Sequence, residues 1–342
     1  MRRVFISFAA ALSVTLALGT HIDAQRAQPI KPGEVPQRKK IAPLPPRGTY
    51  TAPRTPWGDP DIAGVFTNSD ESGIPFERPV EFEGRRMQDI TPAEFAKLVQ
   101  ARQEQTIERT PGLSEFPGAT SPMHWFENYY AANSRPWLVI DPPDGKVPPQ
   151  TAEAAKRAAD RQAARKGRGP ADSWEDRSLY DRCITRGIPG SMMPAIYGNS
   201  YRIHQGPGVV TITYEMVHDT RVIPLDNRPH VAQSIRQYVG DARGHWEGNT
   251  LVVETTNFTD KTPYRGSSDQ LKMTERFTLL GPDTVEWTVT FDDPHTWARP
   301  WTFAMNLTKA DESQQPFEYA CHEGNYGMRN MLSAARAEEK SK

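Results

Sequence analysis

The chain has 342 residues, with 41 lysines and arginines against 42 aspartates and glutamates, so its formal charge is −1. This balance excludes a strongly basic nucleic-acid-binding protein and a protein with an acidic tail. A hydrophobic content of 37% is low and 31 prolines are many. The composition therefore predicts an extended region together with a remainder that buries one sizeable core.

The first 24 residues are predicted to be an export signal. Arg2 and Arg3 precede an almost wholly apolar run from Val4 to Gly19, and a cleavage point follows Ala24. The apolar run is shorter than the roughly 20 residues that span a bilayer. An uncleaved anchor is the alternative. We therefore expect a periplasmic or secreted protein without a membrane span.

Residues 25–176 are predicted to form a region outside the main core. The segment 25–56 is rich in proline, which favours an extended, polyproline-like linker. In the extension 57–176, Thr91–Glu108 is predicted to be an amphipathic helix with a proline in its first turn. Thr151–Lys166 almost lacks large apolar side chains and is predicted to be a solvated surface helix. Trp137–Ile140 is a short strand candidate.

From about residue 198 the hydrophobic pattern changes to a period of two. This period is typical of half-buried strands. Four apolar faces show it clearly: Val210, Ile212, Tyr214 and Met216; Leu271, Met273, Phe277 and Leu279; Val285, Trp287, Val289 and Phe291; and Trp297, Trp301, Phe303, Met305 and Leu307. Tyr201–Gln205 and Arg221–Leu225 add two further strand candidates.

A hairpin is predicted around Gly248 and Asn249, which tolerate the positive φ of a tight two-residue turn. In that register Trp246 pairs with Leu251, His245 with Val252, and Arg243 with Glu254, the last as a cross-strand ion pair.

About eight strands joined by short turns predict a mainly β domain over 177–342, preceded by the helical and irregular extension. An up-and-down antiparallel barrel of lipocalin-like type is the expected architecture, because closure leaves no open strand edge. A two-layer sandwich is the alternative.

Five stretches of the sequence are informative as a set: Trp57-Gly58-Asp59-Pro60, Arg177-Ser178-Leu179-Tyr180-Asp181-Arg182-Cys183, Tyr214-Glu215-Met216-Val217-His218, Gly244-His245-Trp246-Glu247-Gly248 and Cys321-His322-Glu323-Gly324-Asn325-Tyr326. Together they resemble a family of exported bacterial proteins from acidobacteria and sphingomonads, described as hypothetical or lipocalin-like proteins. The resemblance covers roughly residues 57–342 and implies an exported protein with a β-barrel fold; it implies no activity or catalytic residue.

Three ionisable residues interrupt apolar strand faces and are therefore predicted to point into the barrel. Glu275 and Arg299 each lie among large apolar residues, and His218 continues the face that ends at Met216. One interpretation is a structural ion pair between Glu275 and Arg299, since a charge in low dielectric is costly unless paired. The other is a polar centre in an apolar pocket, where Arg299 holds an oxygen and His218 or Glu275 moves a proton.

The chain has two cysteines, Cys183 and Cys321, which export would place in an oxidising compartment. A disulfide between them and two free buried thiols are both compatible with the sequence. A disulfide would place His322, Asp181 and Tyr326 near one another, as an acid–base group at a pocket mouth or as a loop that anchors the chain end.

The aromatic residues and histidines also allow two readings. Tyr214, Trp287, Trp297 and Trp301 either fill the core or line a pocket for an apolar or aromatic small molecule. No bound metal or other cofactor is expected, because the histidines lack ligand spacing. A zinc-type site from His204, His218 and His245 is the alternative.

The sequence lacks the motifs of phosphoryl transfer and of nicotinamide binding. Our first hypothesis is an exported, cofactor-independent enzyme, of lyase, isomerase or hydrolase type, that performs acid–base chemistry on an apolar or aromatic small molecule. A non-catalytic small-molecule-binding protein is the alternative, and a polysaccharide-interaction module is a third hypothesis that requires a line of exposed aromatic side chains.

Overall fold

The computed structural model describes residues 44–98, 101, 134–195, 197–310 and 315–341. The predicted export signal at 1–24 and residues 25–43 of the predicted linker lie outside these described residues. Of the helix predicted at Thr91–Glu108, residues 92–98 are helical, and most of the remainder lies outside the described residues.

The described chain contains ten strands and two long helices. The helices are α1 (Ala152–Ala164) and α2 (Tyr326–Lys340). The strands are β1 (Gly64–Thr67), β2 (Val139–Asp141), β3 (Ser200–Gly206), β4 (Val209–Tyr214), β5 (Thr220–Pro224), β6 (Asp241–Glu247), β7 (Thr250–Thr256), β8 (Lys272–Gly281), β9 (Thr284–Asp292) and β10 (Trp301–Lys309).

All ten strands belong to one sheet, whose order is β5-β4-β3-β1-β10-β9-β8-β7-β6, with β2 paired beside β10. Every pairing along this order is antiparallel. The two strands at its ends, β5 and β6, contact each other. Apart from β2, the strands therefore follow the chain around a nearly closed barrel, and the predicted mainly β, up-and-down antiparallel barrel is confirmed.

The barrel closes without a ladder between β5 and β6, and the connection between these two strands crosses the length of the barrel. Nine strands follow one another along the sheet order, and each neighbouring pair is antiparallel, so β5 and β6 run in the same direction. The connecting segment 225–240 must therefore cross from one end of the barrel to the other. It is held along β6 by Arg243 Nε, which donates to the Pro229 carbonyl at 3.1 Å, and by the Val231 N–H, which donates to Asp241 at 3.1 Å.

Gly244 lets the two unpaired strands approach each other. A Cβ at this position would lie 2.7 Å from Leu225 Cδ2 and 2.8 Å from Ile223 Cγ2. These apolar side chains at the end of β5 therefore pack directly against the β6 backbone, and the seam is closed by side-chain contact where a hydrogen-bonded ladder is absent.

The predicted hairpin register is confirmed, since Trp246 pairs with Leu251, His245 with Val252 and Arg243 with Glu254. The predicted ion pair across it is wrong. Arg243 Nη1 lies 2.6 Å from Asp241 Oδ1, and Glu254 instead pairs with Lys272 at 3.1 Å. Asp241 is buried and needs a charged partner more than the partly exposed Glu254 does.

Side chains fill the interior of the barrel. Along β8 the buried residues alternate strictly with more exposed ones, as the sequence period predicts. The centre is aromatic: Phe291 stacks on Trp301 with ring centroids 4.3 Å apart, and Trp297 meets Trp301 edge-to-face at 5.4 Å. Packing of this kind supplies most of the stabilisation that a small barrel can gain from burial.

The helices lie outside this core. Thr151 caps α1 by accepting a hydrogen bond from the Ala154 N–H at 3.1 Å, and Ala154 is the one buried residue of α1. The predicted solvated surface helix is therefore confirmed. Asn325 caps α2 in the same way, through the Met328 N–H at 3.1 Å. Among the described residues, no helix is both long and apolar enough to cross a membrane.

Candidate functional site

Glu275 points into the barrel as predicted, but its charged partner is Arg221 on β5. The guanidinium contacts both carboxylate oxygens, with Nη1–Oε2 at 2.5 Å and Nη2–Oε1 at 3.1 Å, and both side chains are almost fully buried. Trp287 Nε1 donates a third hydrogen bond to Oε1 at 3.1 Å. The carboxylate is thus neutralised and positioned by three donors, which is the arrangement of a structural ion pair and leaves it poorly placed to accept a substrate proton.

Tyr214 lies beside this pair at the end of β4. Burial raises the pKa of its phenol; the charge of Arg221 opposes that shift and the charge of Glu275 adds to it. Its hydroxyl has no hydrogen-bond partner among the described residues. Burial by itself would lower the pKa of Arg221, but the Glu275 carboxylate more than offsets this, so the guanidinium pKa is raised. The cation is therefore permanent at all physiological pH values.

The prediction that Arg299 points inward is wrong. Its side chain is 51% exposed and pairs with Asp141 at 3.1 Å on the outside of the barrel. The two-residue alternation misleads here because β10 begins only at Trp301, and the residues before it form the connection from β9. The alternation of side chains between two faces holds only within a strand. Trp297 and Arg299 precede β10, so they do not continue the apolar face that begins at Trp301.

His218 is also outside the barrel, contrary to the prediction. Strand β4 ends at Tyr214, and Met216–His218 form a short 3₁₀ turn in which Val217 and His218 have positive φ. His218 is exposed there. The acid–base centre predicted from His218, Glu275 and Arg299 is therefore not assembled.

The disulfide between Cys183 and Cys321 is present. It brings the chain end against the segment before β3, where Asn325 Nδ2 donates to the Asp181 carbonyl at 3.0 Å. The Asp181 carboxylate pairs with Arg177 at 3.1 Å, while His322 and Tyr326 are exposed. The geometry matches the anchoring loop among the two sequence-based readings, and no acid–base group forms from these side chains.

The four aromatic residues predicted to line a pocket are core residues. Tyr214, Trp287, Trp297 and Trp301 are each at most 2% exposed, and their rings pack against other buried side chains. The predicted pocket inside the barrel is therefore occupied by the protein's own aromatic rings. Because these residues are buried, they also cannot form the exposed line that a polysaccharide-interaction module requires.

The alternative metal site is not formed. His204, His218 and His245 are all exposed, and His245 contacts Glu247 at 3.2 Å. Within the described ranges, no group of three or more His, Cys, Asp or Glu side chains is arranged to hold a metal ion.

A cleft of about 730 Å³ lies outside the packed interior, at one end of the barrel. The cleft is formed by residues at the C-terminal end of β7 and at the N-terminal ends of β5, β6 and β8. These strand ends lie at the same end of the barrel because β5, β6 and β8 run in one direction and β7 runs in the opposite direction. Its lining residues are Ile184, Thr185, Asp219, Arg236, Gln237, Tyr238, Val239, Thr259, Asp260, Lys261 and Asp269.

Three of the five charged side chains that line this first cleft have polar side-chain partners. Thr185 donates to the Asp219 carboxylate at 2.9 Å, and the Arg236 guanidinium lies 3.6 Å from the carboxylate of Asp269. The Lys261 ammonium is exposed. Eight of the eleven lining residues are polar or charged, and Ile184, Tyr238 and Val239 provide the apolar surface, so the cleft is a polar recess.

A second cleft of about 410 Å³ adjoins the first, and Thr185 and Lys261 line both. Its other lining residues are Ser178, Leu179, Tyr180, Arg186, Gly187, Ile188, Gly190, Thr262, Pro263 and Tyr264. The residues of both clefts lie in connections between strands, where sequence periodicity carries no signal. The turn-rich composition of 257–269 was the available hint that this connection lies at a barrel end.

The fold and the clefts define an antiparallel barrel protein with an open recess at one end. A scan of protein-family models and a search of curated proteins find no match. Among solved structures, a secretary abundant heat soluble protein from Ramazzottius varieornatus is 12% identical, with 39% of this chain and 87% of that chain covered, at a TM-score of 0.23. A point mutant of the fluorescent protein UnaG is 13% identical, with 39% and 86% covered, at a TM-score of 0.22.

Proposed function

We propose that this chain is an exported small-molecule-binding protein whose ligand binds in the recess at the end of the barrel. The observation that carries the proposal is the first cleft. Its volume of about 730 Å³ falls within the range of roughly 300–1,000 Å³ that small-molecule sites occupy. Export is supported by the apolar N-terminal segment and by the Cys183–Cys321 disulfide, a bond that persists in oxidising compartments.

The packed interior favours binding at the end of the barrel over binding inside it. Trp287, Trp301 and Phe303 are fully buried against one another at the centre. Opening a ligand-sized space there would require removing close-packed aromatic rings from contact, at a cost of several kcal/mol. The recess needs no such rearrangement, because its residues already surround open volume.

Binding is also favoured over the acid–base catalysis of our first hypothesis. That hypothesis needed His218, Glu275 and Arg299 to converge, whereas two of them are exposed on the outside and Glu275 is held by Arg221 and Trp287. Catalysis stays a hypothesis, now without the constellation that motivated it.

The neutral aromatic probe N-phenyl-1-naphthylamine tests the proposal by its fluorescence increase on binding. We expect saturable binding at one or two sites per chain. Lys261→Trp should abolish it, because Lys261 lines both clefts and a bulky ring there occludes them. Lys166→Trp is the matched control, since Lys166 is also exposed but lies beyond the end of α1.

Native mass spectrometry of gently purified protein gives an independent test through any co-purified organic mass. Absence of saturable probe binding, or equal binding by both tryptophan variants, would refute the proposed site. Chemical conversion of a bound ligand, detected by mass, would restore the enzyme hypothesis in place of a simple binding role.

A further inference from the structure

The second cleft differs from the first in its charge. The first cleft is lined by Asp219, Asp260 and Asp269 against the two cations Arg236 and Lys261. The twelve residues that line the second cleft include Arg186 and Lys261 but no aspartate or glutamate. The two adjoining clefts therefore present opposite net charges, and the second is positive.

The two cations of the second cleft are available to a ligand, because neither Arg186 nor Lys261 forms a salt bridge among the described residues. The nearest carboxylate along the chain from Tyr180 is that of Asp181, which is paired with Arg177 at 3.1 Å. Asp260 precedes Lys261 but lines the first cleft. Two uncompensated cations at one concave site leave a positive potential that a ligand anion can neutralise.

The remaining lining is suited to a ring-bearing or otherwise apolar body. Leu179, Ile188 and Pro263 contribute apolar surface, and Tyr180 and Tyr264 contribute aromatic walls. Tyr264 is held in place by stacking on Phe291, with ring centroids 5.2 Å apart and planes 13° from parallel. Fixed aromatic walls lose little conformational entropy when a ligand binds.

Arg186 is positioned before any ligand arrives. Its guanidinium carbon lies 5.2 Å from the centroid of the Tyr180 ring, a cation–π contact that orients the planar donor group. The neighbouring Cys183 is tied to Cys321, which restrains the segment that carries Arg186. A guanidinium held in this way can donate two parallel hydrogen bonds to a carboxylate or sulfonate.

We propose that the second cleft is an anion subsite, and that the ligand is an organic acid whose carboxylate or sulfonate binds Arg186 and Lys261 while its apolar or aromatic body contacts Tyr180 and Tyr264. This inference rests on the proposed function and specifies its ligand class. Lys261, which lines both clefts, lets one ligand extend from the anion subsite into the larger first cleft.

Two probes with the same ring system separate the anion subsite from general apolar binding. 1-Anilinonaphthalene-8-sulfonate carries a sulfonate, and N-phenyl-1-naphthylamine has the same body without it. We expect the sulfonate to bind at least tenfold more tightly at low ionic strength, and its advantage to shrink as salt is added. In the double variant Arg186→Gln/Lys261→Gln the sulfonate should lose its advantage over the neutral probe, with both affinities measured on that same variant.

Arg165→Gln/Lys166→Gln is the matched control, because it removes the same two charges from an exposed position after α1. It should retain the preference for the sulfonate. Arg186→Lys keeps the cation and should retain part of the preference. Equal affinity for the two probes, or the same loss in both double variants, would overturn the anion subsite while leaving the proposed binding function standing. Failure of both probes to bind would overturn the two proposals together.

Discussion

Removing one member of the buried Arg221–Glu275 pair should strongly destabilise the barrel. The side chains of Arg221 and Glu275 are 2% and 0% exposed. Arg221→Ala would leave the carboxylate of Glu275 with the single donor Trp287 Nε1. An uncompensated charge in such an interior costs about 3–5 kcal/mol, a large part of the roughly 5–15 kcal/mol by which domains are stable. Glu275→Gln should lower the free energy of unfolding by a similar amount, because it leaves the buried guanidinium of Arg221 without its anionic partner.

The double variant Arg221→Met/Glu275→Leu sharpens this prediction. Apolar side chains of similar volume remove both charges together, so it should be much more stable than Arg221→Ala. Urea unfolding with the disulfide intact, followed by tryptophan fluorescence, measures the free energies. Lys272→Ala is the control: Lys272 lies on β8 like Glu275, but its pair with Glu254 is exposed, so it should have little effect. A loss below about 1 kcal/mol in Arg221→Ala, or a double variant as unstable as the single ones, would refute this reasoning.

Two further predictions concern the disulfide and a buried acid. Replacing Cys183 and Cys321 by alanine should lower the free energy of unfolding by up to about 5 kcal/mol on the chain-entropy model, because the closed loop spans 138 residues; an unchanged urea midpoint would contradict it. Burial raises the pKa of Glu71 despite its hydrogen bonds from Ser134 and the charge of Arg135, so the folded state binds this proton more tightly and stability falls as pH rises from the unfolded pKa through the folded one. Glu71→Gln should therefore increase the free energy of unfolding at pH 7, and increase it by less at pH 4, in the same assay. A variant that loses more stability at pH 7 than at pH 4, relative to the original protein, would contradict this prediction.

The two-residue period located the strands because it is a local property. A strand buried on one face must alternate its side chains, whatever its partners are. The apolar faces of β8 and β9 therefore appear in the structure as they appear in the sequence. The hairpin register was equally local, since the two turn residues Gly248 and Asn249 determine which residues pair.

Local signals failed where a turn interrupted the alternation. His218 and Arg299 each continue an apolar face in the sequence, but β4 ends at Tyr214 and β10 begins at Trp301. The period does not mark these boundaries, because apolar residues also lie in the turns beyond them. The predicted acid–base centre depended on both residues and was lost with them.

The sequence by itself thus determined the mainly β architecture, the register of the hairpin and the inward direction of Glu275. Tertiary structure alone decided that Arg221 would neutralise Glu275, because the two lie on strands distant in the sheet order and meet only when the barrel closes. It also decided the recess: residues such as Arg186 and Lys261 share a cleft because strand direction brings their connections to one end of the barrel. Periodicity in the sequence indicates which residues of a strand are buried. A site at the end of a barrel depends instead on the number and direction of the strands that lie between the connections that form it.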